Sequence, residues 1–400
     1  MNFINRGIKF VQSQLQTKSF ERSIHPKTWK EHDSILDWGM AYTDSNTKFD
    51  ISGSSIVERG QELRNSVLTN FRNKYKSIDG IRILIHVPSK EKSPGGFSLF
   101  SNLADSIQYL GIPCEKLGWE ESIIEKLKIF KPTLFLTSDN NIYLSRINWS
   151  AIQQYRTKYS LLVGLTASIA AYGNTPLTQR LRWAKSQNID FYYSFRSQQY
   201  LRSREDYKPF FLEGYSIYSV EFGANPLHYF PVGGVNRDLS YVFLASSNPD
   251  KQKRYADWLT PVLKNFPGFL DGPGWTRINR YAPTVAHRYL YARGKVGINL
   301  HIDDSIDWAS ELNERTYILA ACGIPQLIDN PKLLKDRFTE DAMFRANSPK
   351  EYEELFYYIL ASPNEADKNA KIALEQVFDK HTTFHRAEEF INQLLFKYSS

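Results

Sequence analysis

The string Asn299-Leu300-His301-Ile302-Asp303-Asp304, followed by Ser310-Glu311-Leu312-Asn313-Glu314-Arg315, holds more ionisable side chains than a buried segment tolerates. It reads as a strand ending near Leu300, a polar loop, and a helix starting near Asn313. Carboxyl ends of strands are where open α/β sheets bind ligands, and clustered titratable groups there are useful for chemistry. His301, Glu311 and Glu314 are the candidate catalytic residues. Ser310 or Asn313 suits a helix cap, and Arg315 can pair with phosphate oxygens through two N–H groups. The plainer alternative is that Glu311 and Glu314 only complement the dipole of a helix start.

Three further strings fit an anionic or sugar-bearing ligand. Ser246-Ser247-Asn248-Pro249-Asp250-Lys251, with Lys253 and Arg254 following, is a strand end running into a basic helix start. Ser246, Lys251 and Arg254 beside free backbone N–H groups would suit a diphosphate, with a solvated basic face as the alternative. Gly95-Gly96 joins a buried strand to a helix start, so backbone can approach an anion or hydroxyl closely there, unless the pair is simply a tight turn. Asp271-Gly272-Pro273-Gly274-Trp275 sets Gly274 and Trp275 as a wall for a base or ring, or else as a turn over a buried aromatic. Arg277 stands where a dinucleotide fingerprint would need its third glycine.

Other chemistries lose their usual signatures. The two cysteines, Cys114 and Cys322, are far apart, no CxxC or HExxH string occurs, and no Walker loop is present. Asp303-Asp304 alone is a thin Mg²⁺ site, so no metal site and no cofactor are expected. The formal net charge of +7 favours anionic partners. It is spread along the chain without a block of like charges, which argues against nucleic acid. No apolar stretch is long enough for a bilayer, so the expected location is cytoplasmic. Ile4, Ile8, Val11 and Leu15 recur at helical spacing, which fits a packed helix or a peripheral membrane contact.

These residues must be positioned by alternating strands and helices. Ile81–Val87, Lys131–Thr137, Ser160–Leu165 and Asp190–Phe195 read as strands buried on both faces, with a helix over Phe97–Leu110. After Pro231-Val232-Gly233-Gly234 the alternation restarts. Strands are expected at Ser240–Ala245, Gly268–Gly272, Lys295–Leu300 and Ile324–Asp329. Helices are expected at Gln252–Asn265, Glu314–Cys322 and Glu351–Leu360, with Gly323 closing the second. Before residue 80 only a helix over Gly60–Lys76 is legible. The reading is an α/β chain of three blocks: a helical extension over 1–80, a Rossmann-like domain over 81–232 and a second over 233–400, facing a cleft.

The ordered set of motifs resembles the two-domain glycosyltransferases of the GT-B fold, especially the bacterial group related to spore-maturation protein CgeB. The matching pieces are Ala224–Pro231, Tyr241–Ser246 with Arg254, Gly272-Pro273-Gly274-Trp275, and Tyr291–Leu300. Glu314-Arg315-Thr316-Tyr317 with Ala320-Ala321-Cys322-Gly323 looks like the family's donor-site helix. The resemblance implies transfer from a nucleotide sugar (UDP-, GDP- or another) to a glycan, lipid, protein or small-molecule acceptor, without a catalytic metal. It implies a donor site in the C-terminal domain and an acceptor site in the N-terminal one. Donor contacts would come from Gly95, Gly96, Ser246, Lys251, Arg254, Gly274, Trp275, Asn313, Arg315 and Gly323. Retaining members usually carry glutamates where this chain has Ser310 and Ile318, which leaves the stereochemical outcome open. A nucleotide-sugar epimerase on the same fold, or a non-catalytic carbohydrate-binding or assembly protein, are the other readings.

Overall fold

The computed structural model describes residues 15–44, 55–168, 175–247 and 251–398. The short apolar runs form two separate sheets in which every strand pair is parallel. The first sheet holds β1 Ile83–Val87, β2 Cys114–Gly118, β3 Leu134–Thr137, β4 Leu162–Thr166, β5 Phe191–Ser194 and β6 Ile217–Ser219, in the order β2-β1-β3-β4-β5-β6. The second holds β7 Val242–Leu244, β8 Phe269–Asp271, β9 Gly297–Asn299, β10 Gln326–Asp329 and β11 Phe344–Ala346, in the order β11-β10-β9-β7-β8. Central strands such as β1, β3, β7 and β9 are buried along their whole length, which is why they lack alternation. β6 and β11 were not legible in the sequence. Each is a three-residue edge strand, and β11 carries Arg345 at its centre.

Helix Gln252–Asn265 falls where its spacing predicts, whereas the helix expected over Gly60–Lys76 runs Ser55–Phe71. Helix Pro363–Lys380 has no clear signature in the sequence. Its buried stripe begins with Ala366, Ala370 and Ala373, whose small side chains give a faint hydrophobic period. Among the described residues no helix is long and apolar enough to cross a membrane.

The compact units interleave along the chain. One comprises the described residues of Val67–Asn225, Ala309–Glu311 and His381–Ser400 around the first sheet. The other comprises those of Met1–Ser66, Pro226–Trp308 and Leu312–Lys380 around the second. The final helix, Thr383–Tyr398, therefore belongs with the first sheet rather than to a block running from 233 to 400. Ser106 donates a hydrogen bond of 2.8 Å to Thr383, and Phe384 stacks on Tyr109 at 4.5 Å.

The helical extension before residue 45 packs on the second sheet. Phe20 and Ile24 are buried in the core of the second sheet, with Phe20 at 6.4 Å from Tyr255 and 6.0 Å from Trp275 between ring centroids. Thr28 meets the Tyr241 hydroxyl at 3.1 Å, and His32 Nε2 lies 2.9 Å from Asp271. Residues 1–14, with Ile4, Ile8 and Val11, lie outside the described residues. Truncating a fully packed aromatic removes transfer free energy and leaves a cavity. Phe20→Ala should therefore lower stability by roughly 3–5 kcal/mol, read from urea unfolding followed by tryptophan fluorescence.

Candidate active site

β9 ends in Asn299, whose side-chain amide is fully buried. Its Nδ2 donates to Thr316 Oγ1 and to Gln326 Oε1, both at 2.9 Å. Its Oδ1 accepts from Asn313 Nδ2 at 2.8 Å and from Arg315 Nη1 at 3.2 Å. Arginine can only donate, so the amide has one orientation that satisfies all four contacts. Asn313 is the cap of helix Glu314–Ala321: its Oδ1 accepts from the Thr316 N–H at 3.1 Å. Arg315 also donates through Nε to the Leu244 carbonyl at the end of β7, at 2.9 Å, and its guanidinium lies 5.1 Å from the Phe243 ring centroid. Two strand ends thus fix this cation.

The neighbouring strand ends supply an ion network. The His301 N–H donates to Asp329 Oδ2 at 2.8 Å, and its Nδ1 meets Oδ1 at 2.7 Å. Arg254 donates to the same carboxylate at 2.9 Å and to Asp303 at 3.2 Å. Burial alone would raise Asp329, but the charges of His301 and Arg254 and the hydrogen bonds from His301 hold its carboxyl below the usual range. Burial lowers His301, aided by Lys251 and Arg315 and opposed by Asp329. Its Nε2 faces Thr316 Oγ1 at 3.2 Å. At 1% exposure and with both ring nitrogens engaged, His301 positions its neighbours and is not an accessible base.

The expected site residues separate into groups. Asn313, Glu314, Arg315, Ser246, Lys251 and Arg254 gather at the carboxyl edge of the second sheet. Ser246 is exposed there, and Glu314 sits in the helix's first turn, where burial and then its charge push the Tyr229 phenol upward. Arg254 is balanced by Asp329 and Asp303, so its charge is committed. Residues 248–250 lie outside the described residues.

Trp275 is 3% exposed, donates to the Ala245 carbonyl at 2.7 Å and stacks on Tyr255, so its ring belongs to the core and forms no wall for a base. Gly274, with φ of 90°, lies in the exposed turn before it. Gly323 closes the far end of helix Glu314–Ala321 from Asn313, and its carbonyl accepts from Arg237. It is a helix stop, not a donor contact.

Glu311 belongs to the unit of the first sheet and is ion-paired with Arg196, which removes it from a free catalytic role. Gly95 and Gly96 open helix Pro94–Tyr109 in that unit. A Cβ on Gly96 would lie 2.5 Å from the Tyr143 hydroxyl, so packing demands that glycine, whereas Gly95 faces open space.

Asp329 and Asn299 were missed as site residues, although a polar side chain ending a fully apolar strand is a readable signal. Asp139 was missed in the same way after β3. It is buried and paired with Arg180, accepts from Thr166 at 3.1 Å, and burial pushes it up to about 6 against the pull of Arg180. Among the described residues no three His, Cys, Asp or Glu side chains gather as a metal site.

Residues 252–392 match the model of a family described as glycosyl transferase-like. This stretch is similar to that glycosyl transferase-like domain. It contains Asn299, Asn313, Arg315 and Asp329, the whole of the network above except β7. No curated protein sequence matches the chain. T4 phage β-glucosyltransferase, solved in complex with UDP and Mn²⁺, is similar in structure, with a TM-score of 0.53 at 12% identity over 79% of this chain and 99% of its own. Anabaena HepE in complex with UDP-glucose gives 0.50 at 11% over 79% and 99%. Sucrose-phosphate synthase from Thermosynechococcus elongatus gives 0.50 at 13% over the same shares. The common fold is GT-B, and with the transferase-like domain it supports an enzyme of glycosyl transfer.

The His301–Asp329 pair gives this domain an acid limit. Both groups bind protons less readily when folded, so the unfolded chain takes up more protons as pH falls. Stability is full above the ordinary histidine value of about 6.5. It is lost below that through His301, and further below the ordinary Asp range through Asp329. The melting temperature should fall between pH 7 and pH 5, and His301→Gln should shrink that fall even if it lowers the value at pH 7.

Proposed function

We propose that the chain transfers a sugar from a nucleotide-sugar donor of the uridine diphosphate class to an acceptor. The diphosphate would lie at the carboxyl edge of the second sheet. The observation that carries this reading is Arg315, a cation held by Leu244 and Asn299 beside the capped start of helix Glu314–Ala321. UDP in T4 phage β-glucosyltransferase and UDP-glucose in Anabaena HepE support the class of donor.

Cleavage of the bond between sugar carbon and diphosphate oxygen leaves negative charge on the diphosphate. A preorganised cation and helix-start amides stabilise that charge most as it develops. Arg315 Nη2 would donate to a phosphate oxygen, and Lys251, whose charge already reaches His301, would add a second cation. The exposed Ser246 hydroxyl would reach the same group. Glu314 would accept hydrogen bonds from hydroxyls of the ribose or the transferred sugar. With the charge met by these groups, transfer would proceed without a catalytic metal, and a chelator should leave turnover unchanged. The acceptor would be held by the unit of the first sheet, where Gly95 gives backbone an open approach.

A panel of nucleotide sugars tests the reading. Nucleotide release that depends on an acceptor supports transfer, an isomerised sugar indicates an epimerase, and binding without turnover indicates a carbohydrate-binding protein. Arg315→Ala should reduce turnover by about 2–4 kcal/mol of transition-state stabilisation, as removal of one preorganised donor does. Glu314→Ala should chiefly raise the donor KM and cost about 1 kcal/mol or less of stability. Unchanged kinetics in both variants would move the site away from this helix.

A further inference from the structure

The loops that follow β7 and β8 do not stand alone. The Ser247 N–H donates to the Pro273 carbonyl at 2.9 Å, so each loop backs the other, and Gly274 lies against Ser247. A third element holds both. Residues 15–23 are helical, and this helix meets the two loops along one side. Thr17, 3% exposed, lies 3.2 Å from Ser247 Oγ, which also accepts from Gln252 Nε2 at 2.6 Å. Phe20 packs on Trp275.

Glu21 makes the decisive contact. It is 1% exposed, yet its carboxylate Oε1 accepts from the Thr276 N–H at 2.5 Å and Oε2 accepts from the Thr276 hydroxyl. A buried carboxylate is costly unless its acceptors are filled, and Thr276 fills both oxygens. The contact spans 255 positions of sequence and fixes the turn immediately after Gly274-Trp275.

We propose that Glu21 is a positioning residue of the donor site, and that helix 15–23 clamps the loops after β7 and β8 in their binding shape. The inference rests on the donor reading above, because those loops lie at the same strand edge as Arg315. Glu21 touches no ligand. It acts through Thr276 on Gly274, and through its helix on Ser247 and the adjoining Ser246. A segment far from every transferase motif thereby sets donor affinity.

Titration calorimetry with UDP, on the full chain, tests this at a temperature below the melting point of each variant. Loss of a charged hydrogen-bond partner corresponds to roughly tenfold to a hundredfold in affinity. Glu21→Ala should weaken UDP binding by about that factor, and the donor KM should rise with kcat little changed. Glu21→Gln keeps an acceptor for the Thr276 N–H and should recover most of the affinity. Thr276→Val removes only the hydroxyl contact, so its loss should be smaller. Combined with Glu21→Ala it should add nothing further, because both changes break one interaction. Thr276→Val also decides the matter if Glu21→Ala does not fold: weaker UDP binding supports the clamp, and unchanged binding overturns it. If the wild type binds UDP and a folded Glu21→Ala binds it equally, this inference alone fails. If the wild type itself binds no UDP, the donor reading fails and the clamp falls with it.

Discussion

The second sheet's carboxyl edge depends on one buried amide. Asn299 is fully buried, so its hydrogen-bonding positions are met by Thr316, Gln326, Asn313 and Arg315, which must all stand where it needs them. That requirement ties β9 to β10 and both to the start of helix Glu314–Ala321. It also orients Arg315, because the acceptor side of the amide faces the guanidinium. A cation fixed in this way pays little reorganisation when a phosphate arrives, which is the property a leaving diphosphate needs. The His301–Asp329–Arg254 network beside it adds rigidity to the same strand edge.

The division of labour among the candidate residues follows from burial. Trp275, His301 and Ile318 lie in or against the core, at 3%, 1% and 7% exposure, and can act on a ligand only through what they support. Ile318 occupies the place where the resembling family usually has a glutamate, and Glu314 stands one turn earlier on the same helix. The unit of the first sheet carries its own polar strand end, where Asp139, just after β3, meets Thr166 at the end of β4 and Arg180. The two sheets thus repeat one construction, in which apolar strands end in a buried polar group that organises the following loop.

Local pattern made the central strands of both sheets legible, because runs such as Ile83–Val87 and Gln326–Asp329 are buried on both faces. The transferase motifs from Gly272 to Gly323 were legible as a set for the same reason: each is a short string beside a strand end. What was hidden is long-range. The pairing of Ile328 with Asn299 places β10 beside β9, and only then does Asp329 meet His301. Nothing in the strings around Phe20, Thr28 or His32 announces their partners more than two hundred residues away. The final helix joins the first sheet through Thr383 and Phe384, contacts that sequence order alone assigns to the wrong block.

The central claim is that a nucleoside diphosphate binds at the end of β9, against Arg315. A crystal structure of the protein soaked with UDP tests it most directly. The account predicts diphosphate density within hydrogen-bond distance of Arg315 Nη2 and the first amides of helix Glu314–Ala321, with the His301–Asp329 pair undisturbed. Ordered UDP at any other place, with Arg315 Nη2 left facing solvent, would contradict it.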